Sequence, residues 1–372
     1  MQIIDKGYIY DARRTILNEK TATFPALTML QNGHIFCTFR VGPQKNSPLD
    51  KIKLYKSSDN GATWHEIIKG FDIDFENIHG SGHNGAAGQI ASNALMLTCT
   101  WVDRSDPSLP FVNPQTTGLL PTKLLISFSH DDGKTWTSFK QVDTAHHPAV
   151  AVTDKPQLLQ DGTILLPYES WKQYEQIHGF HSSACLLSSD KGQNWSRPVI
   201  IAEDPFQRLY FYDNRLTVAS DTGKIAGLLW THDSAKGMDT PIHINYGSPD
   251  GLEWTYPRST SIEGQIASPL ALGNNRLLMT YVHRHDPPSL RMLLSNDFGK
   301  TWDTNNELEI YRCVSQQSGI GESRSESEYW DDMARWTFGH PCLVQLSENM
   351  VLAGFYAGDK QNLSIHWIRV RI

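Results

Sequence analysis

Several acidic residues occupy positions suited to acid–base chemistry. Glu169 follows the apolar run Ile164–Tyr168, so we expect burial to raise the pKa of its carboxyl, as a general acid requires. Enzymes that cleave glycosidic bonds generally use two carboxyl groups about 5 to 10 Å apart. Glu169 is therefore the leading candidate for one of the pair. Alternatives that end or begin other apolar runs are Asp103, Asp213, Asp233 and Asp286.

A second group of residues has the chemistry to hold a polar ligand. Arg215 begins a strand-like run, where it would either contact an anionic ligand or form a structural ion pair with Asp213. A histidine can serve as a general base, a hydrogen-bond donor or a metal ligand. Trp171 and Trp330 are predicted to lie in loops, where an aromatic ring can stack on a sugar. The candidate binding residues are Arg215, Lys155, Asp213, His83, His340, Arg40 and Trp171.

A metal site has weaker support in the sequence. His283 and His285 would share one side of an extended strand, so both could face one ion. The sequence has no His-x-x-x-His or Cys-x-x-Cys spacing to strengthen that interpretation. We therefore predict no metal and no cofactor.

These candidates occupy equivalent places in a repeated element. Six times the chain shows an apolar run, a short turn and a second apolar run, which is the pattern of a β-hairpin. Helical periodicity is weak, so the sequence predicts an all-β chain. The six hairpins are 22–40, 85–103, 155–169, 214–232, 268–283 and 339–356.

A second repeat lies between the hairpins. Ser129-His130-Asp131-Asp132-Gly133-Lys134-Thr135-Trp136 combines an Asp-Gly turn with a Trp that can anchor the turn to a sheet. Closely related turns occur at 57–64, 188–195 and 295–302, and a copy one residue shorter occurs at 248–254. Related turns at intervals of about 50 to 70 residues indicate a repeat architecture.

The repeated turn resembles the Asp-box of the sialidase superfamily. The resemblance covers nearly the whole chain and implies one six-bladed β-propeller domain over residues 1–372. It also implies that the boxes lie on the face opposite the active site, which makes them structural. We further expect the N-terminal run Gln2–Tyr10 to complete the sixth blade with the C-terminal strand Leu363–Arg371, closing the ring.

The resemblance also implies a set of site residues on the other face, the top, where the first strand of each hairpin begins. Sialidase-like enzymes hold a carboxylate with three arginines and use an Asp acid/base and a Tyr nucleophile paired with a Glu. Asp50 is the carboxylate in the matching first-blade loop, so Glu169 with Asp50 or Asp103 would supply the acid–base chemistry. Thr23 stands where the first arginine is expected, so we predict that the chain is not a typical sialidase.

The same topology predicts that four long polar stretches are loops on the top face: 41–51, 104–122, 171–181 and 312–338. Long loops on a rigid scaffold often carry function. The last of them is acidic and aromatic, with Glu322, Glu328 and Trp330 among its residues. It would be a lid over the site, a mobile surface loop or a contact with another subunit.

Composition limits the partners. The chain has 372 residues and a net charge of −7, which argues against a nucleic-acid partner. The five cysteines are widely spaced, and Cys37, Cys99 and Cys185 lie in strand-like apolar runs, which favours buried, reduced thiols. The sequence has neither a signal-peptide pattern nor an 18-residue apolar run, so we predict a cytoplasmic protein without a membrane partner, possibly a homo-oligomer.

Together these observations favour an exo-acting glycoside hydrolase that cleaves a small, possibly acidic glycoside. A propeller lyase would instead use His and Tyr to abstract a proton beside a uronate carboxylate. A non-catalytic carbohydrate-binding propeller is the third hypothesis. The Asp-boxes do not distinguish these hypotheses, because all three require only the fold.

Overall fold

The computed structural model describes residues 1–314 and 324–372, which form successive antiparallel four-stranded blades. The first segment is strand β1 (Gln2–Tyr10). Blade 1 contains β2 (Thr21–Met29), β3 (Ile35–Gly42), β4 (Lys51–Ser57) and β5 (His65–Ile68). Blade 2 contains β6 (Gly80–Ala91), β7 (Ala94–Asp103), β8 (Thr122–Ser129) and β9 (Lys140–Gln141). Blade 3 contains β10 (Ala149–Val152) and β11 (Gln157–Leu158) as its innermost strand, then β12 (Ile164–Trp171), β13 (Ser182–Ser188) and β14 (Val199–Ala202).

The second half of the chain continues the pattern. Blade 4 contains β15 (Leu209–Val218), β16 (Ile225–Asp233), β17 (Met238–Asp239), β18 (His243–Gly247) and β19 (Arg258–Ser259). Blade 5 contains β20 (Ala267–Gly273), β21 (Arg276–His283), β22 (Ser289–Ser295) and β23 (Leu308–Arg312). Helix α1 (Glu326–Arg335) precedes blade 6, which contains β24 (Phe338–Ser347), β25 (Met350–Gly358) and β26 (Leu363–Arg371). Short 3-10 helices span Ala12–Arg14, Leu17–Glu19 and Thr304–Asn306.

The two chain ends share one blade, as predicted. β1 pairs antiparallel with β26 and supplies the fourth strand of blade 6. A parallel pair between Thr21 and Leu363 joins blade 6 to blade 1. The innermost strands contact one another in the order β2, β6, β11, β15, β20 and β24, and β24 in turn contacts β2. The prediction of six blades is confirmed.

Burial follows the position of each strand in its blade. β1 lies at the outer edge, and its side chains alternate between exposed and half-buried over Gln2–Tyr8. β16 lies inside blade 4, and its residues Ile225–His232 are all buried because both faces pack against neighbouring blades. The apolar core therefore lies between blades, as where Met96 and Ile126 of blade 2 meet Leu166 of blade 3.

The Asp-box turns share one hydrogen-bond network. In the box at 129–136, the Ser129 hydroxyl donates to Asp131 (2.9 Å) and accepts the Gly133 N–H (3.0 Å), while both the N–H and the hydroxyl of Thr135 donate to Asp131. The boxes at 57–64, 188–195 and 295–302 repeat these contacts, with Asn194 in place of Thr in one of them. The Ser, Asp and Thr or Asn groups of each of these turns thus satisfy one another.

Four of the six innermost strands carry the same β-bulge at the top of the propeller. In β2, β6, β15 and β24, two residues face one residue of the neighbouring strand, and the first residues of these pairs are Phe24, His83, Asp213 and His340. Phe24, Asp213 and His340 have φ angles of 54°, 50° and 46°. A positive φ is unfavourable for such residues and often marks a functional position. The bulges turn these side chains away from the regular pleat.

Helix α1 lies within the stretch 312–338, for which the sequence predicted only a loop. It begins with a capping box. The Ser325 hydroxyl accepts a hydrogen bond from the Glu328 N–H, and the Glu328 carboxylate accepts one from the Ser325 N–H. The Ser-x-x-Glu spacing was therefore the signal that our sequence analysis missed. Glu322 lies outside the described residues.

The five cysteines are buried and form no disulfide, as expected. Within the described ranges, no helix is long and apolar enough to span a membrane.

Candidate active site

A cavity of about 450 Å³ lies at the top of the propeller, where the innermost strands begin. A cavity of this size accommodates a small ligand. Blades 1, 2, 4, 5 and 6, the connection 104–121 and helix α1 contribute to its wall. The side chains on which its chemistry depends are Phe24, Arg40, Lys45, His83, Phe111, Arg284, Trp330, Trp336, His340 and Tyr356.

Arg40, near the end of β3, is buried in the cavity wall with one guanidinium nitrogen unused. Its Nε donates to the Thr23 hydroxyl (3.1 Å) and its Nη1 donates to Asn46 Oδ1 (3.0 Å). Nη2 is buried and has no hydrogen-bond partner among the described residues. Thr23, which occupies the position expected for an arginine, therefore helps to hold Arg40 in place.

Arg284, just after β21, repeats this arrangement on the other side of the cavity. Its Nε donates to Gln265 Oε1 and its Nη2 donates to the Phe338 carbonyl, both at 2.9 Å. The guanidinium lies 4.1 Å from the ring centre of Trp336 and 4.3 Å from that of Phe338. Nη1 is buried without a partner in the part of the chain that the structure describes. Two fixed guanidinium groups thus each have a nitrogen available for an anion.

Lys45 adds a third positive charge and connects the cavity to helix α1. Its ammonium donates to the carbonyls of Met333 (3.0 Å) and Trp336 (2.6 Å) at the end of that helix, and to the Tyr356 hydroxyl (3.3 Å). These carbonyls belong to the last turn of the helix, which has no further backbone donors. Burial, with the nearby charges of Arg284 and Arg40, holds the pKa of Lys45 well below its usual range.

Tyr356 places a hydroxyl beside these cations. Burial raises the pKa of its phenol, and the nearby Arg284 and Arg40 oppose that shift. The hydroxyl accepts a hydrogen bond from Lys45, so its own proton is available to a ligand in the cavity.

The two histidines of the cavity are hydrogen-bond donors. His83 Nδ1 lies 2.8 Å from Arg40 Nη1, and His340 Nδ1 lies 2.9 Å from Arg215 Nη2. Because an arginine can only donate, each Nδ1 must accept, and this assigns the ring proton to Nε2. Burial and the neighbouring cations lower the pKa of both imidazoles well below the usual value, which favours the neutral ring. Each histidine therefore presents an Nε2–H group rather than a base.

Two carboxylates with raised pKa values, Asp50 and Glu169, lie behind the cavity wall. Asp50 is buried 3.5 Å from Arg40, and burial raises its pKa to about 7 against the opposing charges of Arg40 and Arg104. Glu169 accepts the Asp213 N–H (3.0 Å), and burial together with the charge of Asp213 raises its pKa to about 8. Glu169 is half-buried by exposed area and has the raised pKa that was predicted, yet neither carboxylate lines the cavity.

Arg215 forms the ion pair considered from the sequence. Its Nη2 lies 2.8 Å from Asp213 Oδ1, and the same nitrogen contacts His340. The Arg215–Asp213 pair therefore lies behind the cavity wall and contacts it through His340. Of the predicted binding residues, Arg40, His83 and His340 line the cavity, whereas Arg215 and Asp213 do not.

The remaining predicted site residues make structural contacts outside the cavity. Asp103 accepts the N–H and hydroxyl of Ser105 and so stabilises a turn. The Lys155 ammonium donates to the Leu27 carbonyl (2.9 Å). The loop positions predicted for the tryptophans are wrong: Trp171 is the last residue of β12, with its indole N–H bonded to the Thr117 carbonyl, and Trp330 lies in helix α1. The strand that begins with the apolar run before Glu169 continues through Glu169 and Ser170 to Trp171.

No group of three or more His, Cys, Asp or Glu side chains within residues 1–314 and 324–372 is arranged to hold a metal ion. His283 and His285 lie with ring centres 5.4 Å apart. Among the described residues, the only carboxylate that lines the cavity is that of exposed Asp331. The interior of the cavity is thus rich in hydrogen-bond donors and positive charge.

Comparison with solved structures defines the class of fold. A protein of unknown function from Dyadobacter fermentans is similar over 100% of this chain and 99% of its own, with 18% identity and a TM-score of 0.73. A Hadza microbial sialidase is similar over 99% of this chain and 68% of the sialidase chain, with 15% identity and a TM-score of 0.65. The intramolecular trans-sialidase from Ruminococcus gnavus is similar over 98% of this chain and 96% of the trans-sialidase chain, with 12% identity and a TM-score of 0.63. The fold is therefore the sialidase-like propeller.

The family follows from the sequence match. Residues 89–321, which are more than half of the chain, match the model of the BNR repeat-like domain. The chain belongs to the BNR repeat-like domain family. No curated protein matches its sequence. The predicted membership of the sialidase-like superfamily is confirmed.

Proposed function

We propose that the protein is an exo-acting glycoside hydrolase whose substrate is a small glycoside with a carboxylate on its terminal sugar. The observation that carries the proposal is the pair of unused, buried guanidinium nitrogens, Arg40 Nη2 and Arg284 Nη1, in the wall of one cavity. A buried guanidinium nitrogen without an acceptor is costly, and a ligand carboxylate would supply the missing acceptor oxygens.

The other donors extend this recognition. The Nε2–H groups of His83 and His340 would bind further oxygen atoms of the sugar, while Lys45 adds positive charge to the same wall. Phe111 stacks on His83 with ring centres 4.4 Å apart, and Trp330 provides an apolar surface on helix α1. A ring with one anionic group and several hydroxyls matches such a mixture of donors and aromatic surfaces.

Tyr356 is the proposed nucleophile. Its hydroxyl lies beside Lys45, Arg284 and Arg40. Burial raises the pKa of the phenol, and the charges of Arg284 and Arg40 oppose that rise, which favours the phenolate form in which a tyrosine attacks an anomeric carbon. Asp50 and Glu169, with pKa values raised to about 7 and about 8, do not line the cavity. In this proposal Asp50 supports Arg40 and Glu169 supports the Asp213–Arg215 pair, and neither contacts the substrate.

The test is a panel of aryl glycosides that includes a sialoside and several uronides, assayed by release of the aryl alcohol. We expect turnover of a glycoside that carries a carboxylate and none of its methyl ester. The Tyr356→Phe variant should lose turnover while still binding the free acidic sugar, because the phenol is not required to hold the carboxylate. Turnover of the ester at the rate of the acid would overturn the proposed role of the arginines.

A lyase that acts on a uronide is the second candidate, and one observation favours it. The cavity interior offers a tyrosine and fixed cations instead of a carboxylate pair, a set that could remove the proton beside a uronate carboxylate and stabilise the resulting charge. Such a reaction yields an unsaturated product that absorbs ultraviolet light, whereas hydrolysis does not. Incubation with uronide oligosaccharides and an absorbance scan would distinguish the two reactions.

A further inference from the structure

A second cavity, of about 250 Å³, lies beside the first at the beginning of helix α1. It is bordered by the end of β12 and the connection 172–181, and the residues that matter for its chemistry are Trp171, Lys172, Phe180, His181, Tyr210 and Glu326. None of these residues lines the first cavity. The two cavities are neighbours, since the ring centres of Trp171 and Trp330 are 6.3 Å apart.

Aromatic rings form the inner wall of this second cavity. Trp171 and Tyr210 meet edge to face with ring centres 5.2 Å apart, and the imidazole of His181 lies 5.5 Å from Tyr210. At the mouth, the side chains of Phe180 and Ile177 are 56% and 69% exposed. Two large apolar side chains at the mouth of a cavity offer surface for the C–H face of a ligand.

The polar groups of the cavity balance one another in charge. The Lys172 ammonium bonds Glu326 Oε2 (3.1 Å) and the Ile177 carbonyl (3.2 Å). Glu326 Oε1 is buried and, within the described ranges, accepts no hydrogen bond. A free carboxylate oxygen attracts hydroxyl donors and repels anions. The first cavity has the opposite preference, because its unused atoms are cationic donors.

His181 adds polar atoms in the same wall. It is only 2% exposed, and neither ring nitrogen makes a hydrogen bond of regular geometry among the described residues. Burial lowers the pKa of this imidazole to about 4, against the opposing effect of backbone groups of Phe211 and Ser170. The ring is therefore neutral near pH 7, and it leaves the charge balance between Lys172 and Glu326 unchanged.

We propose that the second cavity binds an uncharged sugar unit. Aromatic and apolar side chains would face the C–H surface of the ring, and Glu326 Oε1 would accept a hydroxyl. The sugar has two possible sources: the neutral unit next to the acidic sugar in one oligosaccharide, or a separate glycan. Only the first source depends on the proposed hydrolase function.

Binding is tested by saturation-transfer NMR on the full chain with methyl galactoside, methyl glucoside, methyl N-acetylglucosaminide and lactose as probes. We expect saturation transfer to at least one probe and a fall in affinity of at least about 5-fold for Phe180→Ser, in line with the loss of one stacking contact. The matched control is Phe206→Ser, since Phe206 is 75% exposed and lines neither cavity. No transfer to any probe, or equal losses in both variants, would overturn the proposal.

Kinetics then separate the two sources of the sugar. If the units belong to one oligosaccharide, Phe180→Ser should raise KM for an acidic sugar linked to lactose and leave KM for the aryl glycoside unchanged. Unchanged values for both substrates, with probe binding lost, would assign the cavity to a separate glycan. A wild-type protein without turnover would contradict the hydrolase proposal alone, because the NMR measurement requires no reaction.

Discussion

The turn at Asp131 and the cavity at Arg40 lie at opposite ends of the blades and treat their polar atoms differently. Asp131 accepts bonds from Ser129 and from both the N–H and the hydroxyl of Thr135, all within one turn. Arg40 is held by Thr23 and Asn46 from separate segments and keeps one buried nitrogen without a partner among the described residues. The Ser, Asp and Thr groups of the Asp-box satisfy one another, whereas the arginines of the cavity need a ligand to satisfy all their nitrogens.

This difference separates the roles of the two ends. A turn that satisfies its own groups can be repeated in every blade, because it asks nothing of its neighbours. A ligand site instead needs different side chains from different blades, positioned by bulges such as those at Phe24 and His340. Changes at the cavity should therefore alter activity, while changes in the boxes should alter stability.

The largest effect is expected for Arg284→Gln. The substitution removes the unused nitrogen and one positive charge from the cavity, so kcat/KM for the acidic glycoside should fall on the order of 10²-fold or more. The matched control is Arg291→Gln in the same blade, since Arg291 pairs with Glu307 (3.0 Å) and lies outside the cavity. Equal kcat/KM values for the two variants, with folding checked by circular dichroism, would contradict the role of Arg284.

The next prediction uses pH to distinguish the two ends. The pKa of Glu169 is raised from 4.5 to about 8 in the folded protein. The protonated carboxyl therefore contributes its full share to the free energy of unfolding below about pH 4.5, and this contribution is lost as the pH rises toward 8. The bonds from Thr135 lower the pKa of Asp131 to about 2, so its contribution is present above about pH 4 and is lost as the pH falls toward 2. Glu169→Gln cannot ionise and should reduce the decline of stability between pH 5 and pH 8, leaving the part that comes from Asp50, whose pKa is raised to about 7.

Urea unfolding at pH 5 and at pH 8 measures this decline, which should be on the order of a few kcal/mol for the wild type. Glu253→Gln, at an exposed position, serves as the control and should behave like the wild type. A Glu169→Gln protein with the same decline as the wild type would show that burial of this carboxyl does not determine the pH dependence.

The same contrast explains what the sequence could predict. The turns were recognisable because each is local: Asp, Gly and Thr contact one another within a few residues, so their spacing is visible in the chain. The hairpins were recognisable for the same reason, and every predicted hairpin turn lies between two paired strands.

The cavity was only partly predictable because its contacts join distant segments. Arg40, His83 and His340 were selected from their places at strand ends. Lys45 was missed, since nothing local distinguishes it from other lysines and its partners lie about 290 residues away. Glu169 was chosen for burial and is half-buried in the structure, but burial alone does not tell whether a side chain faces the cavity or the space behind its wall.

A smaller effect is expected for Ser129→Ala at the bottom of the propeller. The substitution leaves the buried Gly133 N–H without its acceptor, so the free energy of unfolding should fall by about 1 to 3 kcal/mol. Ser92→Ala is the control, because Ser92 is exposed in a hairpin turn at the same end. Urea unfolding measures stability, and kcat/KM should stay within about 2-fold of the wild type, since the box lies far from the ligand. Loss of activity without loss of stability would contradict the separation of roles.

The smallest effect distinguishes two copies of the box from each other. The Trp64 indole N–H donates to the Gly61 carbonyl (3.0 Å), whereas the Trp195 N–H is buried without a partner within the described part of the chain. Trp64→Phe therefore loses a hydrogen bond as well as ring volume, while Trp195→Phe loses the volume and an unsatisfied donor. Urea unfolding should show Trp64→Phe to be less stable than Trp195→Phe by about 1 kcal/mol. Equal values would mean that the tryptophan stabilises every box through ring packing alone, so that Ser, Asp and Thr provide all of the polar stabilisation.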